Sequence, residues 1–147
     1  MYVHKIIIKY SRCDTERNYC LKYETGDVSY ASSSSTAEVE VTLSDDPSCK
    51  ILFTLSEDKA NGGNKLECKD VACTSGKDSP QNVRMRQDGT DGWFLEKMQV
   101  QTYPGSSDFI TYSLNGQITQ FWVDGNSDGY DGYPACDNGE WCDLKTV

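Results

Sequence analysis

Histidine is nearly missing from this chain, and a catalytic triad built on imidazole goes with it. The one imidazole, His4, stands near the N-terminus, where it reads as an exposed or edge-strand residue. No G-x-S-x-G elbow, no phosphate-cradling P-loop and no H-E-x-x-H pair occurs, so the usual signatures of acyl transfer, nucleotide hydrolysis and zinc proteolysis are lacking. Neighbouring acids such as Asp45/Asp46 and Glu57/Asp58 read as solvated turn residues, and catalysis is not expected. No run of roughly 18 apolar residues is present, so no helix can span a bilayer. Basic residues are in deficit, 14 Lys and Arg against 23 Asp and Glu, for a formal charge of −9. That balance argues against nucleic acid, whose phosphates demand clustered cations, and against plain electrostatic docking on anionic lipid. Bound divalent cations would reverse the sign locally. No N-glycosylation sequon, internal repeat or convincing helix-period segment is found.

What is present alternates with a period of two, as half-buried strands do. Val39, Val41 and Leu43 are expected inward, with Glu38, Glu40 and Thr42 outward. Val83 and Met85 alternate with Arg84 and Arg86, and Phe94 to Gln101 resumes a strand whose mixed phase at Glu96-Lys97 leaves room for a bulge. Lys5–Tyr10 and Lys50–Leu55 are further strands. Phe109–Leu114 and Gln117–Val123 suggest a hairpin around Asn115-Gly116. Cys13–Asn18 reads as a turn, and Glu57 to Pro80 as the longest irregular stretch. Short strands at this spacing predict an all-β antiparallel sandwich. With 147 residues, a single domain over 1–147 is expected, with a strand and cysteine-containing extension at 1–20 and an acidic, cysteine-containing loop region at 124–147.

Seven cysteines are many for a chain of this length. Cys13/Cys20, Cys68/Cys73 and Cys136/Cys142 lie close in sequence and Cys49 is left over. Their separations do not make C-x-x-C zinc knuckles, so a disulfide framework and a secreted or otherwise oxidising setting are expected, with connectivity open. Met1–Ile8 is too short and too charged for a leader, so a removed leader and an added methionine are expected.

The block Gln81–Gln101, QNVRMRQDGTDGWFLEKMQVQ, resembles the signature of the PLAT (lipoxygenase-homology) domain, whose members carry an R-x-D-x-x-x-x-W-F-L-like segment. Leu21–Leu43 is similar to the strand, Thr-Gly-Asp loop and strand that open that domain, with Thr25-Gly26-Asp27 intact and the serine run Ser32–Ser35 where the family has its A-G-T segment. The resemblance covers about residues 21–124. It implies a PLAT-like β-sandwich whose loops at one end bind Ca²⁺ and present apolar residues to a membrane. Carried over by position, Gly26 (through its carbonyl), Asp27 and Asp88 are the implied calcium ligands.

A second candidate metal site comes from spacing alone. Asp124-Gly125-Asn126-Ser127-Asp128-Gly129 matches the first half of an EF-hand loop, in which alternate oxygens point into one concavity. Ala135 occupies the position of the bidentate Glu, so a helix-free calcium loop is expected, with Asp124, Asn126 and Asp128 as ligands and Asp131 as a further donor. Aromatic residues follow these loops: Trp93, Tyr130, Tyr133 and Trp141 are candidate contacts to a lipid headgroup layer or another ligand, Trp93 also reading as a core residue and Trp141 as a cover for a disulfide. Phe121 and Trp122, adjacent on a strand, should face opposite ways. The function expected is a secreted, non-enzymatic, calcium-dependent module that engages a lipid surface or a protein. The alternatives are a lectin-like module in which Trp141 and Tyr133 stack on a glycan, and a structural or venom-type protein with Cys49 free for an intermolecular bond.

Overall fold

Alternation builds most of the elements and their pairing order brings the functional loops together. In the computed structural model, which describes residues 18–28, 31–43, 49–71, 79–87, 89, 91–123, 132–136 and 139–147, the described residues form strands, turns and bends without a helix. The strands are β1 (Asn18–Thr25), β2 (Ala37–Leu43), β3 (Lys50–Leu55), β4 (Asn64–Asp70), β5 (Pro80–Gln87), β6 (Trp93–Gln101), β7 (Phe109–Ser113), β8 (Phe121–Val123), β9 (Ala135–Cys136) and β10 (Cys142–Thr146). They follow the hydrogen-bonded path β3-β2-β5-β10-β7-β6-β1-β4, with β8 on β6 and β9 on β8. All pairs are antiparallel except β8–β9.

Strand β10 belongs to both layers of the sandwich. Cys142–Leu144 pair with β5, and Lys145–Thr146 pair with β7. The two layers bury their facing rows in one core: Val39, Val41, Phe53, Val83 and Met85 meet Tyr19, Leu21, Tyr23, Leu95, Met98 and Val100. Each such side chain contributes about 1.5–3 kcal/mol by leaving water. The far edges are also tied, because Lys69 Nζ on β4 donates to the carbonyl of Leu52 on β3 at 2.8 Å.

The expected alternation holds in β2 and β5, where Val39, Val41, Leu43, Val83 and Met85 are all buried. Thr42 departs from it and is buried as well. The bulge falls where the phase breaks: Glu24 pairs with Lys97 and Thr25 with Leu95, which leaves Glu96 without a partner on β1. Above that bulge Trp93, Phe94 and Leu95 are buried in succession, since both faces of β6 are covered there. Phe121 enters the main core and Trp122 turns away into a smaller cluster with Phe94 and Ala31.

Three expectations need correction. Asn115-Gly116 does make a turn, with Asn115 Oδ1 accepting from the amides of Gln117 and Ile118 at 2.9 and 3.0 Å, but it closes no hairpin. Strands β7 and β8 both run antiparallel to β6, at Met98–Gln101 and Trp93–Leu95 respectively. They are therefore successive stretches of one edge, joined by an excursion, and only Phe121–Val123 of the expected second strand is extended. The stretch read as irregular contains β4, an edge strand paired through its whole length with β1. The 124–147 region supplies β9 and β10. Lys5–Tyr10 and the Cys13–Arg17 part of the expected turn lie outside the described residues.

The disulfides do not follow proximity in sequence at every pair. Cys136 bonds Cys142 as neighbours in the chain, whereas Cys20 bonds Cys68, its register partner across β1 and β4. Cys49 is buried and disulfide-bonded as well. It is therefore not the free thiol that an intermolecular bond would use.

Candidate functional site

The pairing registers collect one set of loops at one end of the sandwich. Glu24 pairs with Asn64, Ala37 with both Leu55 and Gln87, and Trp93 with Val123. The described turn residues 26–28, 31–36, 56–63, 89 and 91–92 therefore share that end, and Asp124 follows Val123 directly in sequence. Thr25-Gly26-Asp27 lies at its centre. The amide of Thr25 donates to the Gly63 carbonyl at 2.7 Å, and that of Gly26 to the Phe94 carbonyl at 2.8 Å. Gly26 is required by close approach: a Cβ there would lie 2.5 Å from Cδ2 of Phe94. The Gly26 carbonyl accepts from the Gly62 amide at 3.2 Å, which leaves a second lone pair free. Asp27 is exposed.

A buried cation already occupies the neighbouring loops. Lys59 is only 2% exposed, and its Nζ donates to the carbonyls of Ser35 and Glu57 at 2.7 and 2.9 Å. The indole of Trp93 lies beneath, 5.3 Å from Nζ to the ring centroid. Burial pulls the Lys59 ammonium below its ordinary pKa, while Asp58 and Asp91 oppose that shift. Its backbone pairs with Ser33 in an isolated bridge, N to O at 2.8 and 3.0 Å.

Asp91, in the connection between β5 and β6, closes this cluster. Its carboxylate accepts from the amide and hydroxyl of Ser34 at 2.9 and 3.3 Å, and its carbonyl from Ser33 Oγ and Gln87 Nε2 at 2.6 and 2.7 Å. Ser35 Oγ accepts the Asp91 amide at 3.3 Å. Gly89 lets the two turns meet, because a Cβ on it would come within 2.1 Å of Ser35 Oγ. Sequence reasoning missed Lys59, Asp91 and the serines as one network. The signal available was the serine run itself, whose hydroxyls serve tight turns.

The aromatic candidates separate into core, rim and face. Trp93 is a correction as a contact residue: it is 0% exposed, its Nε1 donates to Thr25 Oγ1 at 2.9 Å, and it meets Tyr23 edge-on at 5.0 Å. Tyr133 is 41% exposed and packs edge-on against Phe94 at 4.9 Å, while Trp122 lies against Phe94 at 4.8 Å. Val28, 44% exposed, is anchored through its carbonyl by Asn61 Nδ2 at 3.1 Å. An apolar rim of Val28, Phe94, Trp122 and Tyr133 thus borders the Gly26-Asp27 turn. Trp141 is elsewhere, half-buried over the guanidiniums of Arg84 and Arg86 at 4.4 and 4.6 Å. Those arginines are themselves paired with Glu40 and Glu38, each at 2.8 Å. Tyr133 and Trp141 therefore pack on different surroundings, a rim and a sheet face.

Among the described residues, no group of three His, Cys, Asp or Glu side chains could hold a metal ion. Asp27 and the Gly26 carbonyl are the described members of the expected calcium set. Asp88, Asp124, Asn126, Asp128, Asp131 and Tyr130 lie outside the described residues.

No protein-family profile and no curated protein matches this sequence. Solved structures do match its fold. A lipoxygenase (LOX) variant aligns with a TM-score of 0.59 at 14% identity, over 88% of this chain and 16% of its own. A LOX structure in complex with arachidonate gives the same figures. Alpha toxin from Clostridium absonum aligns with a TM-score of 0.59 at 14% identity, over 90% of this chain and 32% of its own. The chain therefore spans a sixth to a third of the proteins it resembles. Its fold is that of a PLAT-like, antiparallel, disulfide-containing β-sandwich.

Proposed function

We propose that this chain is a single-domain, secreted, non-enzymatic member of the PLAT family that engages a lipid surface through the Gly26–Asp27 end of the sandwich. The observation that carries the reading is the half-exposed rim of Val28 and Tyr133, backed by Phe94 and Trp122, beside an exposed carboxylate. Amphipathic rings of this kind suit the boundary between headgroups and acyl chains. A lipoxygenase bound to arachidonate and a toxin share the fold, which supports a lipid setting for such a module. A protein partner would use the same rim.

Calcium belongs to this proposal as the switch. The ion accepts six to eight oxygens and tolerates irregular loops. Asp27 and the Gly26 carbonyl offer two of them beside Asp88, and Asp124, Asn126, Asp128 and Asp131 would form a second calcium loop. Neutralising these acids would remove the repulsion that a chain of charge −9 feels at an anionic surface. The test is the melting temperature in excess Ca²⁺ against chelator, with Mg²⁺ as control. Binding to the folded state at 100 times Kd stabilises by about 2.7 kcal/mol. A calcium-specific rise is expected, and equal melting in all three conditions would remove calcium from the mechanism.

A further inference from the structure

A concavity of about 380 Å³ lies where β4, β1 and β6 run side by side, and its lining includes Lys22, Glu24, Asn64, Leu66, Lys97 and Gln99. Two register rows build it: Leu66, Lys22 and Gln99 stand opposite one another, as do Asn64, Glu24 and Lys97. Tyr23, between Lys22 and Glu24, points the other way into the core, so this row forms the outer face of the layer.

The charge of the cleft is opposite to that of the chain. Lys65 lines it too, but its ammonium is turned to Glu57 and Glu67. Lys97 meets Glu24 at 3.3 Å with side chains 39% and 44% exposed, a weak pair in water that leaves N–H donors unused. Lys22 has no carboxylate partner among the described residues. Its Nζ rests 4.2 Å from the centroid of the Phe109 ring. Lys22 and Lys97 are diagonal neighbours on an antiparallel pair, about 7 Å apart at their stems, so both ammoniums can reach one group between them. Gln99 Nε2 is oriented by a bond to Thr111 Oγ1 at 3.1 Å, and its second proton and the Asn64 amide add neutral donors. Leu66, 55% exposed, gives the wall an apolar surface for a carbon skeleton.

We propose that this cleft binds a phosphate monoester. Two ammoniums drawn onto one group, Lys22 from the Phe109 ring and Lys97 from Glu24, match a group that carries nearly two negative charges and three acceptor oxygens at neutral pH, better than they match a singly charged carboxylate. The group would draw Lys97 away from Glu24. Such a phosphate has two sources, a soluble sugar or inositol phosphate and a lipid headgroup. The cleft adjoins the loop end, since Glu24 and Asn64 neighbour Thr25 and Gly63, which are bonded to each other. Use of a lipid headgroup rests on the lipid-surface reading above; the cleft itself does not.

The test is an amide-resolved NMR titration of the full chain with inositol bisphosphate, with unphosphorylated inositol as control, followed by flotation in Ca²⁺ with vesicles containing a phosphoinositide. Saturable shifts confined to Lys22, Glu24, Lys97 and Gln99 are expected with the bisphosphate alone. Lys22→Glu should weaken binding about tenfold or more and Glu24→Gln should tighten it. Both positions are on the outer face, and an otherwise unchanged spectrum verifies the fold of each variant. Absence of saturable shifts, or equal binding by Lys22→Glu, would overturn the proposal. Soluble binding with phosphoinositide-dependent flotation would place the source in a lipid. Soluble binding without flotation would keep the cleft, assign it a free phosphate ester and sink the lipid-surface reading. Flotation without soluble binding would do the reverse.

Discussion

Gly26 and Lys59 carry the loop end between them, and each can be tested singly. Gly26 is fixed by Phe94, whose ring is held in turn by Trp122 and Tyr133. A methyl group there has no cheap escape, so Gly26→Ala should destabilise by about 1–3 kcal/mol, read as a lower urea midpoint with an unchanged slope. Lys59 holds the carbonyls of Ser35 and Glu57 from within. Lys59→Met would leave both acceptors without that donor, at about 1–3 kcal/mol each, offset in part by relief of a buried charge. A net loss of about 2 kcal/mol is expected. A more stable variant would show that the buried charge costs more than its bonds return.

At the scale of elements, β4 depends on a covalent tie. It has few apolar side chains to bury, with Leu66 largely in solvent, and it packs on the sheet through one neighbour, β1. The Cys20–Cys68 bond closes a separation of 48 residues, worth about 4 kcal/mol in the chain-entropy account. The Cys20→Ser, Cys68→Ser double variant should lose stability of that order and exchange β4 amides fastest, as followed by hydrogen exchange. The same element shows where sequence reading stops. β2 and β5 were legible because burial on one face writes a period of two into Val39, Val41, Val83 and Met85. The Glu96 bulge was legible because it breaks that period. An edge strand such as β4, polar on both faces, writes no such pattern. The supposed hairpin failed because an Asn-Gly turn specifies a local bend, and which strand the chain then pairs with is decided by packing, here the hold of Phe121 and Trp122 against β6. Gly26 and Asp27 were placed by resemblance; Lys59 was not, because one lysine in a polar stretch looks solvated until Ser35 and Trp93 close over it.

The whole molecule adds its titration and its charge. Burial holds the hydroxyls of Tyr23 and Tyr112 above the ordinary 10.0, with the charge of Glu67 adding to the effect at Tyr23. The folded state then keeps protons that the unfolded state releases, so this contribution is whole below pH 10 and declines as pH rises beyond it. Lys59 acts in the opposite sense. Its lowered value penalises the folded state at neutral pH, and the penalty lifts as pH climbs towards the ordinary 10.5. The urea midpoint should therefore fall above about pH 10.5, where the lysine has given up its proton in both states and the tyrosines still titrate. Tyr23→Phe should flatten that fall, and an equal decline in the variant would assign it to other groups.

The central claim concerns the loop end and a bilayer, and vesicle flotation addresses it most directly. Wild-type protein would be mixed with phosphatidylcholine–phosphatidylserine vesicles in Ca²⁺ and in chelator, beside Tyr133→Ser and Val28→Ser. The account predicts flotation in Ca²⁺, its loss in chelator, and a clear reduction in both variants without loss of fold. Equal flotation in chelator, or none in Ca²⁺, would contradict it.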